Sequence, residues 1–311
     1  MLRPYSLPLV ASFILVVLLL AACSDGADDS VGTTLASTTT VEDQAVAMTE
    51  KDLVYATWAE GALTLDMHAP AKPADAPIVI YLPRRGGDTA PPWIVAGLVD
   101  EGAFVFVVRY AASNSSPEQL LADHGADAGA QAESIACGIN YARTQASKSG
   151  NNDPVVVLTG FSNGGALGAH TALFGSTLEA QWDEYAAEGG PPRQVECEVT
   201  DGSTHVDAVV DMGGDNDMWV PIYDGKYGRA YQQERDPELQ EFLSSSIGVN
   251  PDLKVRLIHG TSDYIPVEDA AEFAALLSDS GYDVELVTFD GGHEIAPPEL
   301  VFPTVMEVVD R

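Results

Sequence analysis

Basic residues are scarce. Lys and Arg together number 15 against 47 Asp and Glu, giving a formal net charge of −32. A surface so acidic repels phosphate backbones and anionic headgroups, so nucleic acid is excluded as a partner. Solubility, or a salty or acidic habitat, accounts for the charge without any specific partner. Cysteine is scarcer still, with 3 in 311 residues. Histidine numbers 6, and His293-Glu294 is not followed by a second histidine at metal-helix spacing. No metal site and no cofactor are therefore expected. His68, His124 and His205 have no partner spacing, while His170 and His259 read as packing residues. No long internal repeat is present.

What the chain does have begins at its first residues. Arg3 precedes an apolar core, Leu7–Leu20, which ends in Ala21-Ala22-Cys23. A positive start, a short apolar core and small residues before a break read as a secretory signal. The core is too short for a comfortable transmembrane helix. Leu20-Ala21-Ala22-Cys23 also resembles the bacterial lipobox. That resemblance implies cleavage before Cys23 and lipid on its thiol and new amino group. Residues 1–22 are then a signal peptide, and the exported protein sits on the extracytoplasmic face of a membrane, anchored through its N-terminal lipid. Residues 23–50 are acidic and rich in Ser and Thr, with no hydrophobic period in Gly32–Thr40. Nothing there buries enough apolar surface to offset the entropy of ordering, so the segment reads as a tether.

Residues 51–311 suit one large α/β domain. Leu53–Trp58 and Ala62–His68 read as a strand pair turning at Gly61. Ile78–Leu82, Ala103–Arg109, Val155–Thr159, Val206–Met212, Leu253–His259 and Asp283–Phe289 read as strands. Pro92–Glu101, Ser116–Ser147, Asn163–Phe174, Val267–Ser280 and Pro298–Val309 read as helices. Apolar strands alternating with helices predict a mainly parallel central sheet with helices on both faces. In such sheets function gathers at the carboxyl ends of the strands.

Gly160-Phe161-Ser162-Asn163-Gly164 stands at one of those ends. The pattern is G-x-S-x-G, with a β-branched strand before it and a helix rich in small residues after it. This is the context of a nucleophile elbow, whose sharp turn lifts a serine hydroxyl clear of the sheet. The glycines on either side let the two chain arms cross closely. Two further polar clusters follow strands: His259-Gly260-Thr261-Ser262-Asp263 and Asp290-Gly291-Gly292-His293-Glu294. A serine hydroxyl needs a base within hydrogen-bond reach. His293 is the candidate base and Asp263 the acid that orients it. Asp290 is the rival acid, but it lies too close along the chain to His293 to approach the ring easily.

The order Ser162, Asp263, His293 resembles that of the α/β-hydrolase fold. Over about residues 53–309 the chain resembles secreted esterases and lipases of that superfamily. Its His-Gly-x-x-Asp and Gly-Gly-His segments are also similar to those of carboxylesterases and of the catalytic domain of prolyl oligopeptidases. The resemblance implies a serine hydrolase acting on a small-molecule carboxylic ester through an acyl-enzyme. It also implies an oxyanion hole. Asn163 gives one N–H donor. The other normally comes from a loop after the third strand, and here Pro83-Arg84-Arg85-Gly86-Gly87 departs from the usual histidine-glycine pattern. Proline has no N–H, so Arg84 is the expected donor and Gly86 the alternative. Arg84 or Arg85 could instead bind a substrate carboxylate.

Residues 175–203 and 213–250 exceed simple connections. In this superfamily such insertions form a cap, expected here at about 213–250, with Met218, Trp219 and Tyr223 lining an acyl pocket. Cys137 and Cys197 are the thiols left after lipidation, and an oxidising compartment predicts a disulfide between them. Two other function classes stand beside the esterase. One is a peptidase of prolyl-oligopeptidase type, although the chain has no room for that family's propeller. The other is a non-catalytic binding lipoprotein on a hydrolase scaffold, favoured by the irregular Pro83-Arg84-Arg85 loop. The oligomeric state is open.

Overall fold

A computed structural model of the chain describes residues 48–59, 61–84, 87–111, 126–187, 193–200, 202–216 and 245–309. The expected signal peptide, Cys23, the expected tether up to residue 47, Arg85, Gly86, His124, Met218, Trp219 and Tyr223 lie outside them. Most of the expected cap does so as well.

The described strands are β1 (Met48–Trp58), β2 (Gly61–Ala69), β3 (Ile78–Leu82), β4 (Phe104–Val108), β5 (Val156–Phe161), β6 (Glu196–Cys197), β7 (Ala208–Met212), β8 (Lys254–Gly260) and β9 (Asp283–Phe289). They form one sheet in the order β6-β1-β2-β4-β3-β5-β7-β8-β9. The run from β4 through β9 is parallel, while β6, β1 and β2 form an antiparallel edge. The described helices are α1 (Pro92–Asp100), α2 (Ala126–Lys148), α3 (Asn163–Phe174), α4 (Leu178–Ala187), α5 (Val267–Asp279) and α6 (Pro298–Val309).

Strand alternation sorts the core into two layers. Ile78, Ile80 and Leu82 of β3 pack with Phe104, Phe106 and Val108 of β4 against α2, α3, α4 and α5. Val79 and Tyr81, with Val105, Val107, Val157 and Val210, face Ile94 and Leu98 of α1 and Val301, Val305 and Val308 of α6. Both faces are covered, which is why the central strands read as unbroken apolar runs.

The expected boundaries shift in a few places. β5 continues two residues beyond Thr159, because Gly160 and Phe161 pair with Asp211 and Met212 of β7. β1 and β2 are longer than expected and pair from Met48↔Ala69 to Trp58↔Gly61, with irregularities near Asp52 and Tyr55. β7 starts at Ala208, two residues later than expected. The described part of the long Ala-rich helix begins at Ala126. Residues 175–203 contain elements that were not anticipated. α4 docks Trp182 in the core, and β6 extends the antiparallel edge by pairing Ala56↔Cys197. Cys197 is joined to Cys137 of α2 by the expected disulfide, with Cα atoms 5.1 Å apart.

Candidate active site

β5 delivers Ser162 to the end of the sheet, and α3 starts at the next residue. Ser162 has φ 58° and ψ −128°, a conformation that L-residues rarely hold. The surroundings fix it. The Ser162 N–H donates to Met212 O at 2.9 Å, and Ser162 O accepts from Gly165 N at 2.9 Å and Ala166 N at 3.1 Å. A Cβ on Gly160 would stand 2.5 Å from the Gly164 carbonyl carbon. A Cβ on Gly164 would run into the carbonyl oxygens of Leu82 and Pro83. The two motif glycines therefore serve different contacts. Gly160 lets the arms of the elbow cross, and Gly164 admits the loop that follows β3.

The structure brings Ser162, Asp263 and His293 together. His293 Nε2 lies 2.9 Å from Ser162 Oγ. Its Nδ1 lies 2.9 Å and 3.1 Å from the two Asp263 carboxylate oxygens. This pattern calls for the neutral tautomer with the proton on Nδ1 donated to Asp263, leaving Nε2 to accept from the serine hydroxyl. The Asp263 side chain is almost wholly buried, and its Oδ1 also accepts from the Ile265 N–H at 2.9 Å.

Two loops hold this pair in register. Thr261 N donates to Phe289 O at 2.9 Å and Ser262 N to Gly291 O at 2.8 Å. A Cβ on Gly260 would meet the carbonyl oxygens of Gly291 and Gly292 at 2.5 Å, so only glycine allows the β8 and β9 loops to lie this close. The imidazole sits between Phe161, at a ring-centroid distance of 4.9 Å, and Tyr264, at 4.4 Å. Tyr264 is 56% exposed and forms part of the surface above the histidine. Both residues escaped the sequence reading, although each is adjacent to a residue that it singled out.

His259 behaves as expected of a residue beneath the site. It is buried, and its Nε2 bonds to the Ile265 carbonyl at 2.9 Å. His170 packs edge-on against Phe174, one turn along the same helix. Asp211 was not anticipated. It points from β7 toward α3, where a Cβ on Gly165 would strike its carboxylate. It accepts from Asn216 Nδ2 at 2.8 Å. Burial pushes its carboxyl up from 3.8 to about 6, against the opposing influence of Asn216, His259 and the Gly214 N–H. Among the described residues, no group of three or more His, Cys, Asp or Glu side chains is placed to hold a metal ion.

On the other side of Ser162 runs the β3 loop. Pro83 is buried and Arg84 is exposed. Gly87 N donates to Arg84 O at 2.9 Å. Pro83 O accepts from the Tyr110 hydroxyl at 2.9 Å, and Asn163 Nδ2 donates to the Tyr110 oxygen at 3.1 Å. The β3 loop and the first residue of α3 are thus joined through one phenol.

Solved structures share this architecture. Apo esterase 2 of Thermogutta terrifontis matches with a TM-score of 0.55 at 20% identity, over 86% of this chain and 93% of that one. The chain has the α/β-hydrolase fold. A truncated carbohydrate esterase from gut microbiota matches with a TM-score of 0.54 at 17% identity, over 81% of this chain and 90% of that one. An acylaminoacyl peptidase of Pyrococcus horikoshii matches with a TM-score of 0.57 at 16% identity, but the match spans 79% of this chain and only 38% of the peptidase. No protein-family model matches the chain, and no curated protein matches it in sequence.

Proposed function

We propose that the protein is a serine hydrolase of carboxylic esters, with Ser162 as nucleophile, His293 as general base and acid, and Asp263 as the residue that orients His293. The observation that carries the reading is the 2.9 Å contact between His293 Nε2 and Ser162 Oγ, with Ser162 held in its elbow conformation. In the first step Ser162 Oγ bonds to the ester carbonyl carbon while its proton passes to His293 Nε2. The carbonyl electron pair moves to oxygen, which the N–H groups of Asn163 and Arg84 stabilise. Collapse breaks the C–O bond to the alcohol, which takes the proton from His293. Water then repeats the sequence on the acyl-enzyme, releasing the acid and restoring the Ser162 hydroxyl. Asp263 keeps the proton on Nδ1 and stabilises the imidazolium while it lasts.

Two of the structural neighbours are esterases, and Thermogutta terrifontis esterase 2 is known phosphorylated by paraoxon. The likeness to an acylaminoacyl peptidase favours a second reading, cleavage of amides by the same residues. Hydrolysis of short p-nitrophenyl esters measured beside an aminoacyl p-nitroanilide separates the two. The ester reading expects kcat/KM for the ester to exceed that for the anilide by orders of magnitude. A preference for the anilide selects the peptidase, and turnover of neither removes both.

A further inference from the structure

We propose that Tyr110 is a positioning residue of the oxyanion hole, setting the direction of one donor and its spacing from the other. The inference rests on the serine-hydrolase reading and adds a residue to it. Tyr110 follows β4, which contributes none of the expected site residues, and its ring is buried at 1% exposure. Its hydroxyl donates to Pro83 O at 2.9 Å. Pro83 O and the Arg84 N–H belong to one peptide unit, and the described chain has no cis bonds. In a trans peptide the C=O and N–H point in opposite directions. Pinning the Pro83 carbonyl to a buried phenol therefore turns the Arg84 N–H away from that phenol and fixes the direction in which it can donate.

The same phenol oxygen accepts from Asn163 Nδ2 at 3.1 Å. Asn163 is the residue whose backbone N–H is the other proposed donor. The chain Asn163–Tyr110–Pro83 thus ties together the two residues that supply the donors. Gly164 adds a steric seat, since the Leu82 and Pro83 carbonyls occupy the space a side chain would need. Proline at position 83 suits this arrangement. It lends no N–H of its own and fixes φ at the bend, so orientation falls on its carbonyl. A hydrogen bond to that carbonyl also polarises the peptide and strengthens the Arg84 N–H as a donor.

The test uses Tyr110→Phe, which keeps the ring and removes the hydroxyl. Four quantities are read on purified protein: thermal melting, kcat and KM on an ester, and the ratio of kcat on that ester to kcat on its thionoester. The thiono sulfur accepts hydrogen bonds poorly, so a well-aimed oxyanion hole favours the oxygen ester. The expected result is a fall in kcat on the order of 10-fold with KM little changed, less than a removed donor costs. The oxygen-to-sulfur preference should shrink in parallel. Asn163→Ala, which keeps the backbone N–H, should show a smaller loss of the same kind, and the double variant should fall short of the product of the two. If Tyr110→Phe melts too low to assay, the Asn163→Ala ratio decides alone. A lowered melting point with the ratio unchanged makes Tyr110 a packing residue and overturns the proposal, as does wild-type kcat with a wild-type ratio. A wild-type protein inactive on esters would instead overturn the underlying hydrolase reading.

Discussion

The two sides of Ser162 are built on different principles. On one side, Asp263 and His293 stand on loops after adjacent parallel strands. Backbone hydrogen bonds and the close approach of Gly260 to Gly291 and Gly292 lock those loops together. On the other side, Pro83 and Arg84 follow β3, which pairs directly with the elbow strand β5, and a side chain, Tyr110, joins Pro83 to Asn163. The first side takes its geometry from strand register, which is rigid and specified many times over. The second shares the register of β3 with β5, Leu82 standing opposite Gly160, but beyond the strand end it also depends on contacts with Tyr110 and on the absence of a side chain at Gly164. In the proposed mechanism, proton transfer would rest on loops held by strand register alone, and stabilisation of charge would rest in addition on local side-chain chemistry.

The largest effect expected from breaking this contrast is on the acid side. Asp263→Asn should keep the fold and favour the wrong tautomer of His293, so that Ser162 loses its base. Loss of kcat should approach ~10⁴-fold at neutral pH, with partial recovery at high pH where hydroxide substitutes for the base. Steady-state kinetics across pH check this, and near-normal kcat at neutral pH would remove Asp263 from the role. Asp290→Asn would then be the next variant to measure.

A smaller loss is expected from the opposite side. Gly164→Ala would push a methyl group into the Leu82 and Pro83 carbonyls and displace the loop. Because the proposed oxyanion donor would move while the proposed proton relay stays in place, kcat/KM should fall by about 10²-fold. The pH dependence of what remains should keep its wild-type shape. A changed pH profile would show that the two sides are not independent.

The difference also explains what could be read in advance. Ser162, Asp263 and His293 were legible because each follows a strand that alternates or runs apolar, and strand ends are where such residues work. The boundaries of α3, β9 and α6 were equally plain, since Ser162, the Gly281-containing turn and the Pro297-Pro298 pair punctuate the chain. Tyr110 carried no such signal. It is one tyrosine after a strand, and its significance depends on Pro83 and Asn163, which are remote from it in sequence. β6 was hidden for a similar reason, because two residues have no periodicity and pairing with β1 makes them a strand. Asp211 was concealed within an apolar strand, and only the fold reveals that α3 covers it.

Asp211 supplies an expected effect of another kind, on stability rather than on activity. Its folded pKa of about 6 lies above the ordinary 3.8, so the folded state binds the proton more tightly than the unfolded state. The stability this confers is fully present below pH 3.8 and is lost as pH rises through about 6. The full loss is on the order of 3 kcal/mol. Asp66 and Asp207 act in the opposite sense. Their backbone and charged partners hold them below 3.8, so their contribution disappears only at lower pH. Thermal melts between pH 4 and 8 should therefore show a decline toward neutrality that Asp211→Asn flattens. An unchanged slope in the variant would assign the decline to other groups.

The central claim is that Ser162 is a nucleophile activated by His293. The direct measurement is covalent labelling with a fluorophosphonate, located by peptide mass analysis. The wild-type protein should carry one label, on Ser162, and Ser162→Ala should melt as the wild type does and carry none. A label that persists in the alanine variant, or a wild-type protein that takes no label, would contradict the account.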